Sequence, residues 1–198
     1  MTGEDLERAV GPVVRVMEGL GVPYFVAGSL ASSLHGVPRA SIDADLVADL
    51  LPEHVTPFCD GLGGAYYVPR DSISRAVEAR TSFNVIHLDT MIKVDVFLAR
   101  RPFDRRAPAR ASLARIGGPA GPEVRAATPE DTVVAKLEWF RKGGEASERQ
   151  WTDIVGVLRL AGASLDRSDL EEGASELGVT DLLRRALADA TLPPAQRS

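Results

Sequence analysis

The sequence predicts an α+β fold of the α/β type: a mixed, twisted sheet flanked by helices over residues 1–127, followed by a small helical lobe over residues 128–198. Three observations predict it. Ile42-Asp43-Ala44-Asp45-Leu46-Val47 and Ile92-Lys93-Val94-Asp95-Val96-Phe97-Leu98 alternate apolar and polar residues with the two-residue period of strands that bury one face. Between and around them lie segments of helical period, the first being residues 4–20, where Leu6, Val10, Val13, Val14, Met17 and Leu20 make one apolar stripe that Gly21 ends. From Thr128 onward only helical patterns occur, the first introduced by Thr128 as its capping residue.

The remaining elements follow in order. Pro23 leads into the apolar run Tyr24-Phe25-Val26-Ala27, a short strand that stops at Gly28-Ser29, and residues 30–35 form a helix ended by Gly36. Pro52 opens a helix to about Leu62, closed by the Gly61–Gly64 cluster. Tyr66 to Val68 reads as a short strand, and Asp71 or Ser72 caps a helix through Ala79. Phe83 to Leu88 and Met91 to Leu98 form a hairpin that turns at Asp89-Thr90. The glycine- and proline-rich stretch 117–122 joins two strands, 112–116 and 123–126. Thr128 caps a helix with Pro129 at its first position that runs to Lys142, a second helix spans 147–161, and 164–177 and 179–190 complete the lobe before a frayed tail.

Composition narrows the function. The chain has 198 residues, 44% of them hydrophobic, and a formal charge of −5, which excludes a surface basic throughout and leaves room only for a local basic patch. That patch is residues 100–125, where seven arginines stand against Asp104 and Glu123 alone. Cys59 is the single cysteine, so an intramolecular disulfide and a cysteine-based zinc site are excluded. The opening residues are acidic, unlike a signal peptide, and no apolar run approaches the ~20 residues of a membrane span, so a cytoplasmic protein without membrane contact is expected. Neither GxxxxGK[ST] nor GxGxxG occurs, which argues against a P-loop enzyme or a dinucleotide-binding dehydrogenase.

The chemistry concentrates in residues 26–49 and at one later acid. A strand, a Gly28-Ser29 turn and a helix start present unpaired backbone N–H groups to an anion, and a glycine lets a phosphate approach the backbone. Asp43 and Asp45 share a strand face with Cα atoms roughly 6.6 Å apart. Two carboxylates held at 4 Å repel by about 4 kcal/mol at a protein surface, so their convergence implies a cation, and hard oxygen donors suit Mg2+ or Mn2+. Asp95 stands alone opposite a core face on its own strand; if the two strands are neighbours, three carboxylates meet as phosphoryl or nucleotidyl transfer with two metals requires. Arg39 lies between the phosphate turn and the acids, where its guanidinium either holds a phosphate or stabilises the loop. His35, His54 and His87 have no metal-ligand spacing and receive no role.

These residues resemble the polymerase-beta-like nucleotidyltransferase superfamily, whose signature is Gly-Ser or Gly-Gly, a spacer, Asp-x-Asp and a later single Asp on a strand. Gly28-Ser29, Asp43-Ala44-Asp45 and Asp95 match it across a spacer of thirteen residues. The downstream segment 127–159 resembles the helical part of abortive-infection, AbiEii-like nucleotidyltransferases, which carries a Lys on one helix and an Asp on the next; Lys136 and Asp153 hold those places. The resemblance implies a nucleotidyltransferase fold in which Asp43, Asp45 and Asp95 hold metal and catalyse, while Gly28, Ser29, Arg39, Lys136 and Asp153 serve the NTP. It further implies a toxin of a toxin–antitoxin pair with an antitoxin partner.

The reading is therefore a Mg2+- or Mn2+-dependent enzyme that moves a nucleoside monophosphate from an NTP to an acceptor hydroxyl on RNA, such as tRNA, or on a protein. Residues 1–127 form the catalytic domain, and 128–198 a lobe that closes its cleft. Two alternatives stand beside it: a nucleotide-binding or interaction module without catalysis, and a small-molecule nucleotidyltransferase of the aminoglycoside type, which would need an acidic pocket for a cationic acceptor. Asp153 lies on a helix that is apolar nearly all round and so needs a partner; a salt bridge with Lys136 or Arg39 competes with a role in the site.

Overall fold

The alternating segments do become strands. The structure, a computed structural model, describes residues 2–35, 43–119 and 121–191. The Gly36 helix stop, Arg39, Ile42 and the tail beyond Thr191 lie outside the described residues. Among the described residues the contacts define two compact units, 2–31 with 43–127, and 32–35 with 128–191.

In the first unit, helix α1 (Gly3–Gly19) starts with a capping box: the Thr2 hydroxyl accepts from Asp5 N–H and the Asp5 carboxylate accepts from Thr2 N–H. The strands are β1 (Tyr24–Val26), β2 (Asp43–Ala48), β3 (Tyr66–Tyr67), β4 (Ser82–His87), β5 (Lys93–Leu98), β6 (Ser112–Arg115) and β7 (Glu123–Ala126). They form one mixed sheet of order β3-β4-β5-β2-β1-β7-β6. Helices α2 (Gly28–Leu34), α3 (Pro52–Leu62), α4 (Arg70–Ala79) and α5 (Pro102–Arg110) lie between them in the chain.

Burial follows the period of two. Ala44, Leu46 and Ala48 of β2 and Val94, Val96 and Leu98 of β5 are buried, while Asp43, Asp45, Val47, Lys93, Asp95 and Phe97 on the opposite face are half-buried. Helix α1 packs against β4 and β5, and α4 against β4; the apolar interior of this unit includes Val10, Val13, Met17, Phe58 and Ile73. A smaller apolar cluster joins Phe25, Ala31, Ala107 and Ala127, with Ala27, Val47 and Ala111 packed on it. It anchors α5 beside β1.

Several elements depart from the sequence reading, among them helix α4, which starts at Arg70 after Pro69 with no side-chain cap from Asp71 or Ser72. The 88–92 link is longer than the two-residue turn expected: Met91 takes a positive φ of 55°, its N–H donates to the His87 carbonyl at 2.8 Å, and β5 starts only at Lys93. Helix α5 was not anticipated, because its arginines and Pro108 mask the single apolar pair Phe103 and Ala107. Its start was nonetheless encoded. Pro102 occupies the first turn, and the Asp104 carboxylate accepts from the N–H groups of Arg100 and Arg101, each at 3.1 Å, and from the Arg101 side chain at 2.8 Å.

The second unit is helical. Helix α6 (Pro129–Lys142) is capped by the Thr128 hydroxyl, α7 (Glu148–Ala161) by Ser147, and α8 (Arg167–Glu176) by Asp166; α9 (Thr180–Thr191) follows. Val133, Leu137, Phe140, Ile154, Leu170 and Leu183 are buried, and the Glu130 carboxylate accepts from Asp166 N–H at 2.9 Å. Among the described residues no helix is long and apolar enough to cross a membrane.

Burial pushes the Asp104 carboxyl up, but the Arg101 guanidinium and the backbone N–H groups outweigh it and hold the group below the ordinary carboxylate value. A depressed carboxyl pKa stabilises the fold above the unfolded value and loses that contribution as pH falls through the folded one. Asp104→Asn is therefore expected to lower stability at pH 7 by about 1 kcal/mol, with the deficit starting to shrink as pH falls to about 4 and gone only once pH is below the depressed folded pKa. Urea denaturation of both chains across pH checks it.

Candidate functional site

Strand register decides which acids meet. Strands β2 and β5 pair in parallel with Asp43 opposite Lys93 and Asp45 opposite Asp95, and β4 then places Asn84 opposite Asp95. Adjacent strands lie about 4.8 Å apart, so Asp45, Asp95 and Asn84 form a row across three strands on the half-buried face of the sheet. Asp43 stands two residues before Asp45 on that face. All three sequence-predicted acids are thus within one patch.

Lys93 shares the patch. Its ammonium lies 2.9 Å from Asp95 Oδ2 and 3.9 Å from Asp43 Oδ2, with side chains 38%, 20% and 49% exposed respectively. The hydrogen bond to Asp95 holds the Lys93 pKa above its ordinary value; burial opposes this, and the charges of Asp95, Asp43 and Asp45 add to it. Sequence reasoning passed over Lys93 and Asn84. The signal for Lys93 was its place two residues before Asp95, hence on the same strand face; nothing in the sequence marked Asn84 before the β4–β5 register was known.

The Gly28 turn sits directly against this patch. Ala27 N–H donates to the Asp45 carbonyl at 2.9 Å, so β1 delivers the turn alongside Asp45. Gly28 has a φ of 59°, and a Cβ there would lie 1.9 Å from Asp45 Oδ2. Glycine is required twice over: by the left-handed backbone and by the Asp45 carboxylate in the space of a side chain. Ser29 follows, half-buried in the first turn of α2. Arg39 lies outside the described residues.

Lys136 and Asp153 belong to the helical unit, on α6 and α7, and the structure pairs them. Lys136 Nζ donates to Asp153 Oδ2 at 3.1 Å, with side chains only 12% and 11% exposed. This supplies the partner that the apolar surroundings of Asp153 demand. In the arginine-rich segment, Arg101 is engaged by Asp104, and Arg115 by Glu123 and the Gly121 carbonyl. Arg100, Arg105 and Arg125 are exposed.

A divalent cation fits the acid patch in donor chemistry, since carboxylate oxygens are the ligands that Mg2+ and Mn2+ favour. The positive charge placed among the acids is the Lys93 ammonium. Among the described residues no group of three or more His, Cys, Asp or Glu is placed to hold a metal ion.

The mixed sheet with its flanking helices is the nucleotidyltransferase fold, as solved structures show. The chain superimposes on the solution structure of the antibiotic-resistance factor ANT(2'')-Ia with a TM-score of 0.51 and 19% identity over 91% of each chain. The crystal structure of ANT(2'')-Ia in complex with adenylyl-2''-tobramycin gives 0.52 and 18% over 85% of this chain and 94% of that one. An antigenic nucleotidyltransferase-like protein from Paracoccidioides brasiliensis gives 0.50 and 18% over 95% and 94%. No family model matches the chain, and no curated protein is significantly similar to it.

Two outcomes are expected from these contacts. Gly28→Ala should cost at least ~1 kcal/mol from its left-handed backbone alone, and more from the clash with Asp45. In the Gly28→Ala/Asp45→Ala double variant the carboxylate is gone and only the Cβ of residue 45, 3.0 Å away, still crowds the new methyl, so the clash is partly relieved and thermal melts should give a loss smaller than the sum of the single losses. Lys136→Ala and Asp153→Ala should each lower stability by about 3 kcal/mol by stranding a buried charge. The double variant should lose less than the sum in the same measurement.

Proposed function

We propose that this chain is a nucleotidyltransferase that transfers a nucleoside monophosphate from an NTP to an acceptor hydroxyl and releases pyrophosphate. The observation that carries the proposal is the register of Asp45 against Asp95 with the Gly28 turn packed on Asp45. It sets phosphate-binding backbone beside carboxylates of the kind phosphoryl chemistry uses. The fold shared with solved nucleotidyltransferases supports the same reading.

In this reading Asp43, Asp45 and Asp95 are the residues that would hold Mg2+ or Mn2+. Such an ion, when bound, neutralises charge on the nucleotide phosphates and on the leaving pyrophosphate. Asp95, in the middle of the row, accepts the proton of the acceptor hydroxyl as that oxygen attacks the α-phosphorus. Gly28 and Ser29 hold the β- and γ-phosphates through backbone N–H groups and the Ser29 hydroxyl. Residues 1–127 are the catalytic domain. Residues 128–198 are the lobe that closes on the nucleotide, with Lys136 directed to the triphosphate by Asp153; Arg39 holds a phosphate. The acceptor is an RNA or protein hydroxyl, the exposed arginines Arg100, Arg105 and Arg125 offering an anion-binding surface for RNA. The resemblance of residues 127–159 to AbiEii-like enzymes supports a toxin role, opposed by an antitoxin.

A second reading, a small-molecule acceptor, is favoured by a specific feature of the helical unit. A cavity of about 440 Å3 is lined by Glu145, Glu148, Asp189 and Trp151, with Arg185 stacked 4.3 Å over the Trp151 ring. Three carboxylates suit a cationic sugar, which would displace Arg185 from the ring; Asp189 already accepts from Trp151 Nε1 at 2.9 Å and Glu145 from Arg141 at 3.3 Å. The structure of ANT(2'')-Ia with adenylylated tobramycin shows that this fold holds such an acceptor in that protein.

Incubation with labelled NTPs and Mg2+, offering total RNA, total protein and an aminoglycoside in parallel, should label one acceptor class. Asp95→Asn should reduce labelling at least about 100-fold, the range of a lost general base, with circular dichroism unchanged. Full activity in Asp95→Asn would contradict the proposal.

A further inference from the structure

The acid patch carries its own cation. Lys93 lies within 4 Å of both Asp43 and Asp95 and opposite Asp43 in the parallel register, so its charge occupies the region a divalent ion would need. Its side chain is more than a third exposed, and a lysine has a long stem with four rotatable bonds, so the ammonium can leave without disturbing β5. An ammonium and a dication cannot share these oxygens, because their mutual repulsion at such distances is large even near a protein surface.

We propose that Lys93 is a placeholder cation that makes metal loading depend on nucleotide. Without nucleotide its ammonium balances Asp43 and Asp95 and competes with a divalent ion for them. An arriving triphosphate offers the ammonium new anionic partners, and the ion then takes the carboxylates. Lys93 is thus a positioning residue, acting through the acids rather than on the reacting atoms. This inference rests on the metal reading of Asp43, Asp45 and Asp95.

The test is Mn2+ binding by the purified full chain, followed by electron paramagnetic resonance with and without a non-hydrolysable ATP analogue. Wild type should bind Mn2+ weakly alone and more tightly with the analogue. Lys93→Met, with Lys93→Gln as a second neutral variant should the first misfold, should bind Mn2+ roughly tenfold more tightly than wild type without nucleotide, as removal of a nearby positive charge requires. The gain from adding the analogue should shrink correspondingly. Lys93→Arg, which keeps the charge, should behave as wild type. A lysine that merely braced the strands would give neutral variants with equal or weaker Mn2+ affinity, and that result overturns the placeholder role while wild-type binding, lost in Asp45→Asn, keeps the metal reading. Absence of Mn2+ binding in every chain under both conditions overturns both.

Discussion

The constraint on which the rest depends is electrostatic: two like charges, Asp45 and Asp95, stand opposite each other on parallel strands, with a third, Asp43, two residues away. A sheet does not hold such a set without compensation, since like charges directly across a strand pair are destabilising. Lys93 supplies part of it. The alternation of β2 and β5 excludes a slip of one residue, which would carry the acids into the interior and Ala44, Leu46, Val94 and Val96 out of it. The buried half of each strand therefore fixes the position of its charged half. Gly28 is bound by the same arrangement, since the Asp45 carboxylate fills the space where a side chain would be.

Much of this was legible in the sequence because period and spacing are local properties. The alternation around Asp43, Asp45 and Asp95 announced their shared face, and Thr128-Pro129 and Ser147 announced helix starts that the structure realises as α6 and α7. What was not legible is what strands do to one another. The parallel register that sets Lys93 opposite Asp43 depends on the long connection between β2 and β5, the antiparallel register that sets Asn84 opposite Asp95 depends on the link between β4 and β5, and neither leaves a trace in a single segment. The glycine at position 28 pointed to a phosphate; its contact with Asp45 appears only when β1 lies beside β2. Helix α5 was hidden for another reason: its stability comes from the Asp104 cap and a narrow apolar contact rather than from an apolar stripe.

The two units carry different kinds of charge pairing. In the sheet unit the acids and Lys93 are partly open to water, where an ion pair is weak and easily exchanged. In the helical unit Lys136 and Asp153 are nearly enclosed, where separating them is costly. An exchangeable pair suits a place where ligands replace one another, and a fixed pair holds its lysine in one position. That contrast agrees with the site proposed at the half-buried face of the sheet.

The central claim is that the Asp43, Asp45 and Asp95 patch holds a cation. Diffraction from crystals grown with Mn2+ and a non-hydrolysable NTP, recorded at the manganese absorption edge, tests it most directly. The account expects an anomalous peak coordinated by these carboxylates, with the Lys93 ammonium withdrawn from Asp43 and Asp95. A fully occupied nucleotide with no peak at the patch, and Lys93 still paired with Asp95, would contradict it.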